Sequence, residues 1–197
     1  MEFISSLEWM PFIISIKTAL TATMITFFLG IFAANKINKI NPKHKGILDS
    51  LFTLPMVLPP TVIGFFLLVI LGRNGFIGKL LYSIGINVIF SWGATVIAAV
   101  VVSFPLMYST AKGAFEQIDK NILNAAQTMG VSNFKIFWKI MIPLAWPGIA
   151  AGTILSFARA LGEFGATLMI AGNIPGKTQT IPLAIYFAAE GGDIQGA

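Results

Sequence analysis

The chain has 197 residues, of which 56% are hydrophobic and only 11% are charged. A soluble domain of this size spreads its charges over the whole surface, whereas here they lie between long apolar runs, which indicates an integral membrane protein. Since a bilayer core takes roughly 20 apolar residues of helix, the chain has room for about four to six spans and for no soluble catalytic domain. The lack of cysteine excludes disulfides, thiolate metal sites and cysteine nucleophiles.

Four apolar runs predict membrane-spanning helices, so the expected fold is an all-α membrane bundle. The first run follows no basic leader and precedes no small-residue cleavage pattern, which favours a retained span over a signal peptide. The fourth run would form about 45 Å of helix, and we expect a bend or break at Gly162 and Gly165 to shorten it. The four runs cover residues 11–34, 51–71, 90–108 and 143–171.

The second run contains three prolines, Pro55, Pro59 and Pro60. A proline lacks an amide hydrogen and obstructs the hydrogen bond one turn back, which a membrane tolerates only where protein or water satisfies the freed carbonyls. We therefore expect a kink in this span that faces the protein interior. A purely structural kink and a part in a gate are both compatible with the pattern.

Lysines are concentrated in the loops after the first and third runs, which hold eight of the thirteen basic residues. The positive-inside rule places both loops in the cytoplasm and the N-terminus outside, as in a multi-pass protein of the cell membrane. This topology accounts for the net charge of +5, so the charge does not predict nucleic-acid binding. The short run 181–189 predicts a surface or re-entrant helix. The eight residues are Lys36, Lys39, Lys43, Lys45, Lys112, Lys120, Lys135 and Lys139.

The loop 111–142 is long and amphipathic, which is unusual for a simple connection. Apolar residues at helical spacing predict one helix that ends at Gly130, and Ser132 predicts the cap of a second short helix. The Lys and Trp content would let the pair lie on the membrane surface, and its apolar faces would also suit a partner protein. These faces comprise Phe115, Ile118, Ile122, Ala125 and Met129 in the first helix, and Phe134, Phe137, Trp138 and Met141 in the second.

The same loop carries a sequence motif. Residues 124–126 (Asn-Ala-Ala), Gly130 and residues 140–143 (Ile-Met-Ile-Pro) resemble the cytoplasmic loop of ATP-binding-cassette (ABC) importer permeases, whose pattern is Glu-Ala-Ala, three residues, Gly, nine residues and Ile-x-Leu-Pro. In that family the loop is a coupling helix that docks in a groove of the ATP-hydrolysing subunit. Asn124 replaces the family's Glu, and Ile142 replaces its Leu. The resemblance implies a coupling role for Asn124, Ala125, Ala126, Gly130, Ile140 and Pro143.

Further segments across nearly the whole chain resemble the molybdate permeases of this family. They include Leu-Pro-Met-Val-Leu-Pro-Pro at 54–60, Gly-Arg-Asn-Gly-Phe-Ile-Gly at 72–78, the stretch 157–167 and Asn-Ile-Pro-Gly at 173–176. Sulfate permeases share the coupling loop and parts of the Gly-Glu-Phe-Gly region. The external segments 72–78 and 173–176 favour import of molybdate, and of tungstate with it, while sulfate or thiosulfate import is the alternative.

The resemblance also implies the rest of the transporter. A second copy of the permease, two ATP-binding subunits and an external substrate-binding protein are expected partners, and one further span is expected beyond Ala197. Residues 1–197 then form one transmembrane domain. The chain has no Gly-x-x-x-x-Gly-Lys-Ser/Thr loop, so ATP is expected on the partner and no cofactor on this chain. The sole histidine, His44, has no companion for a metal site.

Arg159 and Glu163 are ionisable residues within the fourth predicted span and lie four apart on one helix face. They could form a buried strut, or they could line a water-filled path in which Arg159 faces a dianion. Lys17, near the outer end of the first span, is expected to snorkel to the interface. Small residues at every fourth position of the fourth span predict close helix packing. They are Gly148, Gly152, Ser156 and Ala160.

Two other classes of protein compete with the permease. An intramembrane hydrolase would need Glu163 and a second carboxylate, and no second acidic residue lies within a predicted span. A passive anion channel would need no ATPase, and it would leave the amphipathic helices of 121–141 unexplained. The sequence therefore predicts an ABC importer permease that is not itself an enzyme.

Overall fold

The computed structural model describes residues 9–38 and 40–192, and all regular elements within these ranges are helical. Lys39 and the side chain of Lys43, both used in the topology argument, lie outside the described part. The first five helices are α1 (Trp9–Ile37), α2 (Pro42–Val57), α3 (Pro60–Leu71), α4 (Phe76–Ser83) and α5 (Trp92–Glu116). Then follow α6 (Lys120–Thr128), α7 (Asn133–Ile136), a π-helical turn (Phe137–Met141), α8 (Ile142–Leu161), α9 (Gly165–Ala171) and α10 (Ile181–Glu190). The expected all-α class is confirmed.

Three helices of the described chain are long and apolar enough to cross a membrane: α1, α5 and the continuous helix Asn133–Leu161. α5 packs along both α1 and α8, and these two helices also contact each other. Small residues permit this approach, since a Cβ on Gly30 of α1 would lie 2.7 Å from Met107 Cγ, and one on Gly148 of α8 would lie 2.6 Å from Ala114 Cβ. The packing role predicted for the small residues of the fourth span is confirmed.

The second predicted span is a broken pair of helices. α2 and α3 are bent by 111° where they meet, so they make a fourth crossing only if the two halves are counted as one span. The bend follows from Pro59 and Pro60, which cannot continue the hydrogen bonds of α2, while Pro60 suits the first turn of α3. Pro55 does not cause the bend, because α2 continues through it to Val57.

The fourth span begins earlier than predicted. The expectation of a separate second amphipathic helix is wrong, because α7 runs through the π-helical turn into α8 as one helix of 29 residues. Within the wide turn the Ile142 N–H donates to the Phe137 carbonyl five residues back, which keeps the helix continuous up to Pro143, a residue without an N–H. The predicted break is confirmed, since residues 162–164 separate α8 from α9.

The predicted short helix near the C-terminal end is observed as α10. Its first residue is tied to α1, since the Ile181 N–H donates to Ser15 Oγ at 2.7 Å. This bond satisfies one of the amides that a helix N-terminus leaves unpaired.

Candidate functional site

The segment between α5 and α8 is divided differently from the predicted pattern. α5 extends to Glu116, and Asp119 begins α6 by accepting a hydrogen bond from the Asn121 N–H at 2.8 Å. The single helix expected from Phe115 to Met129 is therefore wrong. Apolar periodicity continues across the turn and hides it, and Asp119, a favourable N-cap residue type, is the local signal that could have revealed it.

Gly130 forms the predicted left-handed turn after α6, with φ of +77°. Its N–H donates to the Gln127 carbonyl at 2.9 Å, and the Val131 N–H donates to the Ala126 carbonyl at 3.1 Å. Ser132 then caps α7 by accepting from the Lys135 N–H at 3.5 Å, which confirms the predicted cap. Because residues with a side chain are strained at this φ, the direction in which the chain leaves α6 depends on Gly130.

The motif residues of α6 and the following helix divide between two faces. Ala126 is 7% exposed and packs in the apolar cluster that joins α6 to α5 and α7. Asn124 and Ala125 lie on the exposed side. Ile140 is half-buried in the π-helical turn, and Pro143 is exposed in the first turn of α8. One side of α6 is therefore attached to the bundle, and the other is open.

The open side of α6 is partly apolar. Ile122 is 44% exposed and Met129 is 82% exposed, so these two residues of the predicted apolar face are not covered by the described chain, whereas Phe115 and Ile118 of the same face are buried. An open groove of about 570 Å³ lies at the N-terminal end of this helix, between α5 and α8, and Gln117, Asp119 and Ile122 line it. The helix itself is nine residues long, and of these only Ala126 is buried.

The bends of the second and fourth spans lie against each other. A Cβ on Gly165, the first residue of α9, would lie 3.1 Å from Thr61 Cγ2 and 3.2 Å from Pro60 Cβ. A Cβ on Gly64 of α3 would lie 2.8 Å from Ala166 Cα. The two breaks that the sequence predicts separately thus form one contact between α3 and α9, which we call the break junction.

Arg159 and Glu163 lie at the α8 side of this junction. Arg159 Nη1 donates to Glu163 Oε2 at 2.8 Å, and the Ala166 N–H donates to Glu163 Oε1, also at 2.8 Å. The Glu163 side chain is 2% exposed and that of Arg159 is 31% exposed. Glu163 therefore connects the last turn of α8 to the first turn of α9, which is the geometry of a strut.

Sequence reasoning missed a network of charged residues around Asp49 on α2. Asp49 accepts hydrogen bonds from the Tyr108 hydroxyl and from Lys112 Nζ, the latter at 2.5 Å, so it joins α2 to α5. Lys45 Nζ lies 2.7 Å from Glu116 Oε1 at the end of α5. The partners of Asp49 are 59 and 63 residues away in sequence, so they cannot be found from local spacing. The only local feature that could have indicated the network is a single Asp next to an apolar run. We call this group the Asp49 network.

Asp49 and Glu163 each have a cation of their own, Lys112 and Arg159 respectively. No group of three or more His, Asp or Glu side chains in the described ranges could hold a metal ion. Lys17 is exposed, with its Nζ 4.2 Å from the centre of the Trp92 ring, which is compatible with a snorkelling side chain.

A helical membrane bundle with two broken spans and an exposed helix between its third and fourth spans fits the membrane component of a transport system. The chain matches the family described as "Binding-protein-dependent transport system inner membrane component" over residues 26–191, and it belongs to this family. The chain is accordingly a multi-pass protein of an inner membrane, and the family it belongs to works with a substrate-binding protein.

Several transport permeases are similar to the chain. The putative molybdenum transport system permease protein YvgM of Bacillus subtilis (strain 168) is 50% identical over 93% of this chain and 81% of its own length. The molybdenum transport system permease protein ModB of Escherichia coli (strain K12) is 46% identical over 91% of this chain and 79% of its own length. The probable sulfate transport system permease protein cysT of Chlorokybus atmophyticus is 36% identical over 94% of this chain and 65% of its own length.

Proposed function

We propose that the chain is the transmembrane permease subunit of an ABC importer that carries molybdate, and tungstate with it, across the cell membrane. The observation that carries the proposal is the 50% and 46% identity to permeases named for molybdenum transport, against 36% to one named for sulfate. Sulfate or thiosulfate import is the alternative within the same family.

The transporter would contain two copies of this permease, two ATP-binding subunits and an external binding protein that delivers the anion. ATP would be bound and hydrolysed on the partner subunits, so this chain needs no cofactor. With the N-terminus outside and the lysine-rich loops in the cytoplasm, α6 faces the ATP-binding subunit. The exposed Ile122 and Met129 of α6 support this docking, because they offer apolar area that the described chain leaves uncovered.

The helices connected to α6 suggest how movement would reach the membrane. The turn at Gly130 leads into the continuous helix Asn133–Leu161, so a displacement of α6 would act on one end of a helix that crosses the membrane. The other end of that helix is the break at residues 162–164, where Glu163 connects α8 to α9 and α9 packs on α3. In this mechanism the break junction is the gate, and the Arg159–Glu163 strut keeps α9 moving with α8.

The substrate is tested by the ATPase activity of the complex in proteoliposomes, with the binding protein present and molybdate, tungstate or sulfate added. We expect stimulation at lower concentrations of molybdate and tungstate than of sulfate. Stimulation by sulfate at the lowest concentration would instead support the sulfate permease. Anion uptake that proceeds without ATP would favour a passive channel.

The docking role of α6 is tested by Met129→Glu, which places a charge on the exposed apolar side of the helix. We expect the ATP-binding subunit to be lost when the permease is purified from membranes. Phe76→Glu is the matched control, because Phe76 is 91% exposed and lies on α4, in a loop that the topology places outside the cell. Retention of the ATP-binding subunit by Met129→Glu would refute docking on this face.

A further inference from the structure

Three exposed aromatic side chains form a patch where α1 meets the beginning of the fourth span. Phe32, Phe134 and Trp138 are 44%, 73% and 43% exposed. The ring of Trp138 lies 6.4 Å from that of Phe32 and 6.3 Å from that of Phe134, measured between centroids. We call these three residues the aromatic patch.

The aromatic patch has a buried support. Phe137, in the π-helical turn, is 5% exposed, and its ring centroid lies 5.3 Å from that of Trp138 and 6.1 Å from that of Phe32. Its ring also lies 6.1 Å from that of Phe115 on α5. The patch is thus built on a packed contact between three long helices, and it presents a fixed surface rather than separate mobile side chains.

Three exposed lysines lie on the two helix segments that carry the aromatic patch. Lys36 follows Phe32 by one turn of α1, and Lys135 and Lys139 lie four apart on the helix that carries Trp138. All three are exposed, and within the described ranges none of them forms an ion pair or a side-chain hydrogen bond. The carboxylates of the Asp49 network are already paired with Lys45 and Lys112. The patch therefore has three positive charges that the described chain does not neutralise.

We propose that the aromatic patch and its three lysines bind the phosphate headgroup of an anionic phospholipid. Phe32 belongs to a 29-residue apolar helix, which places the patch at the level where the hydrocarbon meets the headgroups. Tryptophan is enriched at this depth, and lysine attracts anionic lipid there. The exposed Phe28 and Leu29 of α1 extend from the patch toward the bilayer centre and provide an apolar track for an acyl chain.

A lipid suits this surface better than the ATP-binding subunit does. The patch lies on two helices that enter the membrane, whereas the proposed docking residues Ile122 and Met129 lie on α6, before the turn at Gly130. The inference requires only that the chain spans a bilayer. It is independent of the anion that the transporter carries, so its failure would leave the proposed substrate untouched.

The test uses the chain in nanodiscs that contain brominated phosphatidylglycerol or brominated phosphatidylcholine at the same mole fraction. Bromine quenches tryptophan fluorescence at short range, and the difference between wild type and Trp138→Phe isolates the signal of this residue. We expect stronger quenching by the anionic lipid. Equal quenching by the two lipids would overturn the proposal.

The lysines are tested with the double variant Lys135→Gln/Lys139→Gln. We expect the preference for phosphatidylglycerol to fall about fivefold for each lysine removed. The matched control is Lys79→Gln/Lys177→Gln, which removes two exposed lysines that the topology places outside the cell. It should leave the preference for phosphatidylglycerol unchanged. An equal loss in both variants would show general charge attraction and would refute a built site.

Two additions distinguish other occupants. Soluble glycerol phosphate should not compete with the brominated lipid, because it lacks the acyl chains that the rings contact. The ATP-binding subunit should not shield Trp138 from the brominated lipid. Competition by glycerol phosphate, or shielding by the subunit, would count against a lipid at this surface.

Discussion

Replacing Asp49 with Asn tests whether the Asp49 network holds α2 against α5. The change keeps the size of the side chain but removes the charge that Lys112 Nζ approaches at 2.5 Å. Tyr108 retains an acceptor, and Lys112 retains only Glu116, at 3.9 Å. The variant therefore removes the main ionic contact and disturbs the surrounding packing little.

The expected loss of stability depends on how far the Lys112–Asp49 ion pair is buried. The side chains of Lys112 and Asp49 are 19% and 24% exposed. Removing one partner of a fully buried pair costs about 3–5 kcal/mol, and a fully exposed pair contributes about 0–1 kcal/mol. An intermediate pair should then contribute about 1–2 kcal/mol, which corresponds to a fall in melting temperature of roughly 2–8 °C for a chain of this size.

The assay is the thermal unfolding of the chain in detergent, followed by the loss of the monodisperse peak in size-exclusion chromatography. The matched control is Glu116→Gln in the same network, whose side chain is 46% exposed and whose loss should cost less than about 1 kcal/mol. Asp49→Glu, which keeps the charge, should recover part of the stability. An Asp49→Asn chain as stable as wild type, or no less stable than Glu116→Gln, would refute the reasoning.

Three further predictions concern the proposed transport cycle. Gly130→Val should leave membrane insertion intact and abolish the stimulation of ATPase activity by loaded binding protein, because a β-branched residue is strained at φ of +77°; normal stimulation would contradict this. A cysteine at the exposed His44 should react only with reagents that reach the cytoplasm, and labelling from outside would reverse the orientation. Exchanging the charges of Arg159 and Glu163 should not restore thermal stability over the single variants, because an arginine at 163 would be buried and could not accept the Ala166 N–H; recovery would show that the ion pair alone matters.

Local sequence features predicted much of the fold. Apolar runs long enough to cross a bilayer predicted the helices, since the hydrocarbon core requires such runs whatever surrounds them. The breaks at Pro59–Pro60 and at Gly162–Gly165 were also predictable, because proline interrupts a helix through its own covalent structure and glycine weakens one through its own freedom. The turn at Gly130 was predictable for the same kind of reason, because glycine readily adopts a positive φ.

Other features depended on which helices meet. The stacking of Pro60 on Gly165 and the approach of Lys112 to Asp49 join residues from separate helices, and neither is reflected in the spacing of neighbouring residues. Glu163 was recognised as a partner of Arg159 at four residues' distance, but its bond to the Ala166 N–H arises only because the helix breaks between them.

The division within the loop 111–142 shows the limit most clearly. Composition and motif predicted a docking segment, but the apolar pattern placed the ends of its helices wrongly. Periodicity also does not distinguish an apolar residue that packs within the chain from one that contacts a partner protein. Tertiary packing made that choice: it buried Ala126 and Phe137 within the bundle and left Met129 and Trp138 exposed. The sequence by itself thus determined the membrane class, the apolar spans and the breaks at Pro59–Pro60 and at Gly162–Gly165, which depend on residues near one another in the chain. Only the tertiary structure decided which faces remained open, because burial depends on contacts between distant segments.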